Sequence, residues 1–336
     1  MESEASAAMR AVVLDRVGGP EVMRIASVAR PEAGPGEVLI KVAYAGVNPA
    51  DWKCREGYLT PFINYVFPFV IGFDLAGTVV DVGADVVGFE KGMRVFAQSD
   101  VGAGKWGAYA EYAAVSQASV VRMPANLGFA QAAAVPTPAL AAWTGLFDDG
   151  ELQRRQRVLI HGGAGAVGAF AIQFARHAGA QVVATCGAYN FDYVTALGSE
   201  YNIDYRAQDI VTATCDWSPG GVDLVLDTIG CATLPGALDL LRPGGTLVSI
   251  LTLMQGDNGP DHEEAARRGL RTRVAFSKMP SGRQLGQIAD LLDRGVVRPP
   301  PIESLPIEEV ANAHSMVQSG THRAKLVLQV SDDIAR

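Results

Sequence analysis

The feature that most constrains this chain is a glycine run, Gly163-x-Gly165-x-x-Gly168, set between two stretches of different periodicity. Before it, Arg157-Val-Leu-Ile-His161 is a short apolar run of strand type. After it, Val167, Phe170, Ala171, Phe174 and Ala178 recur at helical spacing, so Ala166 to His177 reads as a helix with one apolar face. Gln181-Val-Val-Ala-Thr185 supplies a second strand. Where a strand turns into a helix on glycines, backbone N–H groups can approach a pyrophosphate and the positive helix end attracts its charge. The last glycine lets helix and strand pack closely. Gly163, Ala164, Gly165, Ala166, Val167 and Gly168 are therefore candidate contacts for a dinucleotide. The plainer alternative is a glycine-rich turn that holds no ligand.

An NAD-selective site wants an acid at the end of the second strand, where it accepts hydrogen bonds from the ribose hydroxyls. Here that end reads Ala184-Thr-Cys-Gly-Ala-Tyr-Asn190, with no acid before Asp192. Without a carboxylate to repel a 2′-phosphate, the expected cofactor is NADPH rather than NADH. No Arg or Lys stands at the strand end either, so the phosphate must be met by Tyr189, Asn190, Tyr205 or a more distant cation such as Arg206 or Arg323.

From Met9 to about Ala125, β-branched runs such as MRAVVL and EVLIKVAYA alternate with Gly, Pro and Asp clusters, which reads as a compact all-β module. Around Gly128 the sequence becomes alanine-rich, and strands then alternate with helices to about Val274. Val222 to Asp227 and Gly245 to Ile250 are later strands of a doubly wound parallel sheet. Beyond Gly282 come a helix (Gln284 to Arg294), a Pro-rich stretch, a helix near Ile307 to Ser319 and a strand, Lys325 to Val330. These last pieces are expected to return to the first module. The expected fold is α/β, with a cofactor domain over residues 131–279 and a discontinuous β-rich catalytic domain over 1–130 and 280–336.

A length of 336 residues is enough for two cores, and a net charge of -8 disfavours nucleic acid and anionic membrane surfaces as partners. Cys54, Cys186, Cys215 and Cys231 form no CxxC pair, so neither a disulfide framework nor a zinc ribbon is indicated, and a reducing cytoplasm is the expected location. Acidic residues stand where a signal peptide needs positive charge, and no apolar run reaches the roughly 18 residues of a bilayer span. The expected partner is a small molecule.

Five segments carry a family resemblance: Gly46-Val-Asn-Pro-Ala-Asp-Trp-Lys53, Gly72-Phe-Asp-Leu-Ala-Gly77, Gly107-Ala-Tyr-Ala-Glu-Tyr112, Val158 to Gly168, and Asp227-Thr-Ile-Gly230. Through them nearly the whole chain resembles the medium-chain dehydrogenase/reductase superfamily, specifically its zinc-free quinone oxidoreductase and enone (alkenal) reductase branch. The resemblance implies a Rossmann-type cofactor domain, a GroES-like catalytic domain and a homodimer. It implies that Asn48 and Asp51 border the nicotinamide pocket and that Tyr205 and Arg323 contact the adenosine phosphate end. Gly187, Tyr189, Asn190, Ile229 and Leu251 complete the expected cofactor contacts. Zinc-dependent members of the superfamily carry Cys where this chain has Asn48 and His-Glu where it has Phe73-Asp74. Since a catalytic zinc needs about three N, S or O protein ligands, no metal is expected. Where many members have Leu-Thr-Ala this chain has Leu140-Ala141-Ala142, so a hydroxyl that usually meets the cofactor carboxamide is missing, and Thr137 is the candidate substitute. Read from the residues alone, Asn48 and Asp51 could equally cap backbone amides in a turn, and His161 is a packed histidine rather than a base.

Without a Lewis acid, nothing stabilises the alkoxide that forms when a simple alcohol is oxidised. A conjugated acceptor avoids this, because the negative charge spreads onto a distant oxygen. The expected reaction is hydride transfer from NADPH to a quinone or to the C=C of an enone, with no flavin. A backbone amide, a cofactor hydroxyl or Asn48 is the expected donor to the acceptor oxygen, and Tyr58 or water the proton source for the α-carbon. The alternatives are an enoyl reductase acting on a polyketide or acyl-thioester, and an NADPH-binding protein with little turnover. The segments Tyr58 to Phe69 and Met254 to Glu264 are expected to line the pocket and lack a basic cluster for coenzyme A phosphates, which favours a neutral, apolar acceptor.

Overall fold

The computed structural model of the protein describes residues 8–102, 105–252, 259–320 and 324–331. Its strands are β1 (Ala8–Leu14), β2 (Met23–Ala29), β3 (Glu37–Gly46), β4 (Asp74–Val82) and β5 (Arg94–Gln98). They continue with β6 (Tyr112–Ser116), β7 (Val120–Arg122), β8 (Arg157–His161), β9 (Gln181–Cys186) and β10 (Tyr201–Asp204). The last five are β11 (Val222–Asp227), β12 (Leu241–Ile250), β13 (Arg271–Ala275), β14 (Ile302–Pro306) and β15 (Lys325–Gln329). Two compact units result. The first comprises Met1–Thr137, Lys278–Gly295 and Pro299–Arg336, and the second Pro138–Ser277 and Val296–Arg298.

The second unit is built on a six-stranded sheet of order β10-β9-β8-β11-β12-β13, every pairing parallel. Its first strand lies inside the sheet and the order reverses between β8 and β11, as in dinucleotide-binding sheets, where the crevice lies at the carboxyl ends of the strands beside that reversal. Parallel strands are covered on both faces, which is why β8, β9 and β11 are buried almost end to end. Helix Ala166–His177 buries every residue from Gly168 to Ala175. Leu159, Val183, Val225 and Leu247 belong to the core beneath.

The first unit holds a sheet of order β14-β15-β3-β4-β5-β7, with β6 also pairing β3, and a separate β1–β2 pair. β3 is mostly buried and is bonded by β15, β4 and β6, so it organises the unit. The stretch from Met9 to Ala125 is not all-β, as its sequence texture suggested, and the helix expected near Ile307 to Ser319 is present. Helix Pro49–Arg55 follows β3, and helix Val310–Ser319 links β14 to β15 and makes their pairing parallel. Seven residues are too few for a helical period to show in the sequence. The local chemistry still suits a short helix, with Pro49 in the first turn, Asp51 near its positive end and Lys53 and Arg55 in its last turn. The division between units falls inside helix Pro136–Trp143, after Thr137, whose backbone and hydroxyl are bonded to Asp74 on β4. Among the described residues, no helix is long and apolar enough to cross a membrane.

Candidate active site

In the second unit β8 ends at His161 and the chain turns at Gly162, whose φ of +83° is the left-handed conformation that glycine adopts freely. The Gly163 N–H donates to the Thr185 carbonyl at 2.8 Å and the Gly165 N–H to the Gly162 carbonyl at 3.1 Å. Gly165 then caps helix Ala166–His177 without a side chain. The N–H groups of Ala166, Val167 and Gly168 open a 12-residue helix and have no intrahelical acceptor. A Cβ on Gly168 would lie 2.3 Å from the Gly162 carbonyl oxygen, and one on Gly163 2.8 Å from the Ala184 Cβ. At Gly165 the nearest atom would be 3.4 Å away. Two glycines thus serve close packing, and the third leaves the helix end open. These residues fit a pyrophosphate.

His161 holds this turn in place. The Thr185 hydroxyl oxygen accepts the Gly162 N–H at 3.0 Å, so its hydrogen is directed to His161 Nδ1 at 2.8 Å. His161 Nε2–H is left to donate to the Thr233 hydroxyl at 3.0 Å, and that hydroxyl donates to the Gly230 carbonyl at 2.8 Å. Burial pushes the His161 pKa down against the opposing charge of Asp227, which suits a neutral ring with two different partners. Asp227 also accepts the Ile229 and Gly230 N–H groups at 3.0 Å each, shaping the loop in which Ile229 is half exposed. Leu251 sits just beyond β12, its N–H bonded to the Ala275 carbonyl.

At the ends of the neighbouring strands β9 and β10, Tyr189 and Tyr205 are largely exposed. The Arg206 guanidinium lies 5.6 Å from the Tyr189 ring centroid and 5.4 Å from that of Tyr205. The Asn190 N–H donates to the Gly187 carbonyl at 2.9 Å. The structure thus brings together Gly187, Tyr189, Asn190, Tyr205 and Arg206, while Arg323 and residues 254–258 lie outside the described residues.

In the first unit Asn48, Asp51, Asp74, Thr137 and Lys325 form one polar cluster. Asn48 Nδ2 donates to Asp74 at 2.8 Å, and Asn48 Oδ1 accepts from Lys325 Nζ at 2.6 Å. Lys325 Nζ also donates to the Val47 carbonyl. Asp51 accepts the Asn48 N–H at 2.6 Å and the Phe73 N–H at 3.0 Å, so it does cap backbone amides, whereas the Asn48 side chain is turned away from the helix it precedes. The Thr137 hydroxyl donates to Asp74 at 2.6 Å and accepts from Gln98 at 3.0 Å, so its own hydrogen is committed to a carboxylate. Asp51 and Asp74 are fully buried and Lys325 nearly so. Burial pushes both acids up, Asp51 to about 7 with the Asp74 charge adding to the effect, and it pulls Lys325 down to about 8 against the support of both carboxylates.

Three residues not singled out in the sequence extend the cluster. Arg55 can only donate, so its contact to His314 Nδ1 at 3.2 Å leaves Nε2–H to donate to the Tyr109 hydroxyl, also at 3.2 Å. Tyr109 in turn faces Asp51, whose charge adds to burial in pushing the phenol well above its ordinary value. Tyr58 stands apart from this chain: its ring packs edge-on against Trp52 at 6.0 Å, and its hydroxyl has no hydrogen bond among the described residues. Among those residues no three His, Cys, Asp or Glu side chains are grouped to hold a metal ion. The two buried acids, Asp51 and Asp74, are bonded to Asn48, Thr137 and backbone amides and face the Lys325 ammonium, a donor set that does not fit zinc.

Two family descriptions match the chain, an alcohol dehydrogenase GroES-like domain over residues 34–125 and a zinc-binding dehydrogenase over residues 197–328. The mitochondrial NAD(P)H oxidoreductase RTN4IP1 of Homo sapiens is 33% identical over 98% of this chain and 91% of its own length. The quinone oxidoreductase of Lama guanicoe is 31% identical over 95% of this chain and 97% of its own. The chain belongs to the medium-chain dehydrogenase/reductase family, in its quinone oxidoreductase branch. It is an oxidoreductase. The quinone oxidoreductase structure from Coxiella burnetii superposes on this medium-chain dehydrogenase/reductase with a TM-score of 0.84, at 30% identity, over 97% of this chain and 100% of that one. The GroES-like unit and the Rossmann-type unit of the family are the two units described above. Within the GroES-like unit Lys325 carried no motif, and the only sequence signal for it is a lysine that opens the apolar strand KLVLQV.

Proposed function

We propose that this oxidoreductase transfers hydride from NADPH to a conjugated acceptor, a quinone or the C=C of an α,β-unsaturated ketone or aldehyde, without zinc. The observation that carries this reading is the donor set of the first unit. Zinc-dependent members of the family have a Cys and a His-Glu pair at positions where Asn48 is bonded to Lys325 and to Asp74. Such a cluster supplies hydrogen bonds and no Lewis acid, so it suits an acceptor that can delocalise its own charge. The names of the relatives, quinone oxidoreductase and NAD(P)H oxidoreductase, support the same class of chemistry.

When bound, the reduced nicotinamide supplies the hydride. The glycine turn from Gly163 to Gly168 holds the pyrophosphate on backbone N–H groups. Arg206, with Tyr189 and Tyr205, receives the 2′-phosphate, and no carboxylate at the end of β9 opposes it. Asn48 has one Nδ2 hydrogen bonded to Asp74 and offers the other to the acceptor oxygen. Tyr58 or water protonates the α-carbon.

The test is to mix the protein with NADPH or NADH and follow the nicotinamide absorbance against a panel of quinones, enones and enoyl thioesters. NADPH oxidation by a quinone or an enone is the expected result. Turnover confined to enoyl thioesters moves the assignment to an enoyl reductase. Tight NADPH binding with no acceptor consumed makes the chain a binding protein.

A further inference from the structure

The Asn48 carboxamide is clamped by groups of opposite polarity. Lys325 Nζ, which has hydrogens to give and no lone pair while charged, faces Oδ1 at 2.6 Å, and an Asp74 oxygen faces Nδ2 at 2.8 Å. Flipping the amide would set donor against donor and acceptor against acceptor, so one orientation is fixed. Nδ2 bears two hydrogens, and only one of them is bonded among the described residues.

Lys325 is 6% exposed, and its ammonium is expensive to desolvate. Two buried carboxylates offset that cost, yet the hydrogen bonds Nζ makes are to the carbonyls of Asn48 and Val47. A cation on an amide oxygen draws electron density from the amide nitrogen, so the remaining N–H becomes a stronger donor. We propose that Lys325 is a positioning residue, whose ammonium both fixes and polarises the Asn48 carboxamide and so sets how strongly the free amide hydrogen binds the oxygen of an acceptor. The inference rests on the role given to Asn48 above.

The groups facing Lys325 come from every neighbouring element. Asp74 is on β4, Asp51 is on helix Pro49–Arg55, and Val47 and Asn48 follow β3. Tyr109 and Thr137 meet the same two acids. As Lys325 loses its proton near pH 8, Asn48 Oδ1 loses its charged partner and the amide hydrogen weakens as a donor.

The first readout needs neither cofactor nor acceptor. In the 15N-labelled protein, the Asn48 side-chain amide signal, assigned by its loss in Asn48→Ala, should titrate with a midpoint near pH 8. In Lys325→Arg, whose guanidinium keeps its charge, the step near pH 8 should be absent up to pH 10. A wild-type signal that does not titrate, or one that titrates unchanged in Lys325→Arg, overturns the inference whatever the enzyme turns over. The second readout is the pH profile of quinone reduction with NADPH. The wild type should lose kcat above pH 8, and Lys325→Arg should keep it, with KM and the NADPH Kd within about twofold.

Lys325→Met leaves Asp51 and Asp74 without a cation, so it is paired with Asp74→Asn/Lys325→Met, which removes one charge of each sign. Both should lower kcat by about tenfold to a hundredfold, less than removal of a donor itself. Adding Asn48→Ala to Lys325→Met should cost little more than Asn48→Ala alone, whereas additive losses overturn the inference. An unchanged kcat in Asn48→Ala alone would sink the role of Asn48 in the proposed reaction, while the amide titration would still decide whether Lys325 governs it.

Discussion

Arg206 rests between the rings of Tyr189 and Tyr205, each a little over 5 Å from its guanidinium carbon. An exposed cation–π contact is worth about 0.5–1 kcal/mol, too little to bury the charge and enough to bias where it points. A bond to Tyr205 raises its pKa further, so the guanidinium is permanently charged and its remaining N–H donors suit a phosphate. Arg206→Ala should therefore weaken NADPH binding by about tenfold or more, the cost of one charge-assisted hydrogen bond, and leave NADH within twofold. Protein fluorescence titrated with each nucleotide measures both, and equal losses for the two would remove Arg206 from the phosphate site. In the sequence, the missing acid at the end of β9 could be read directly, because it is a matter of a few consecutive residues. The cation was harder to place. Arg206 follows a different strand from Tyr189, and only the parallel pairing of β10 with β9, with Asp204 opposite Cys186, brings the two together.

Helix Pro49–Arg55 shows how one short element serves two ends of a site. Its first turn carries Asp51, and its last turn carries Arg55, whose guanidinium is 0% exposed and fixes the tautomer of His314 on helix Val310–Ser319. His314 is pushed down to about 3, first by burial and then by Arg55, from an ordinary value of 6.5. A folded-state pKa below the unfolded one means that the contribution to stability is complete above pH 6.5 and is lost as the pH falls toward 3. Thermal melts across that range should show a decline, and His314→Gln, which can still bond Arg55 and Tyr109, should reduce the slope at a cost of about 1–3 kcal/mol at neutral pH. A slope unchanged in the variant would mean that other groups carry it. Glycine spacing, helical faces and β-branched runs were legible at this scale because their information is local. The Asn48-Pro-Ala-Asp51 turn was legible as far as its capping, and the partners of the Asn48 side chain were not, since Lys325 lies 277 residues further along the chain.

At the scale of the whole molecule, each unit has a core of its own, one built around Ile40, Leu75 and Tyr109 and the other around Leu159, Val225 and Leu247. Scanning calorimetry should resolve two transitions. NADPH at a hundred times its Kd should stabilise the one that belongs to the Rossmann-type unit by about 2.7 kcal/mol. A single transition would show that the units unfold as one. The alternation of strands and helices exposed this two-part plan in the sequence, because the periodicity changes near Gly128 and again past Val274. Two helices of the GroES-like unit, near Gln284 to Arg294 and Ile307 to Ser319, were legible too, whereas Pro49–Arg55 was hidden by its brevity.

Lys325 also sets an order of events during synthesis. The residues from Pro138 to Ser277 leave the ribosome as one continuous stretch, whereas the sheet begun by β3 to β7 waits for β14 and β15. The ammonium that neutralises Asp51 and Asp74 arrives 188 residues after Thr137 (325 minus 137), roughly 10–40 s later at common translation rates. Over that interval the two carboxylates lack the cation that offsets the cost of their burial. The nascent chain therefore holds nearly all of its Rossmann-type unit before the cluster around Asn48 is complete, and a chain truncated ahead of residue 325 is expected to bind NADPH without oxidising it.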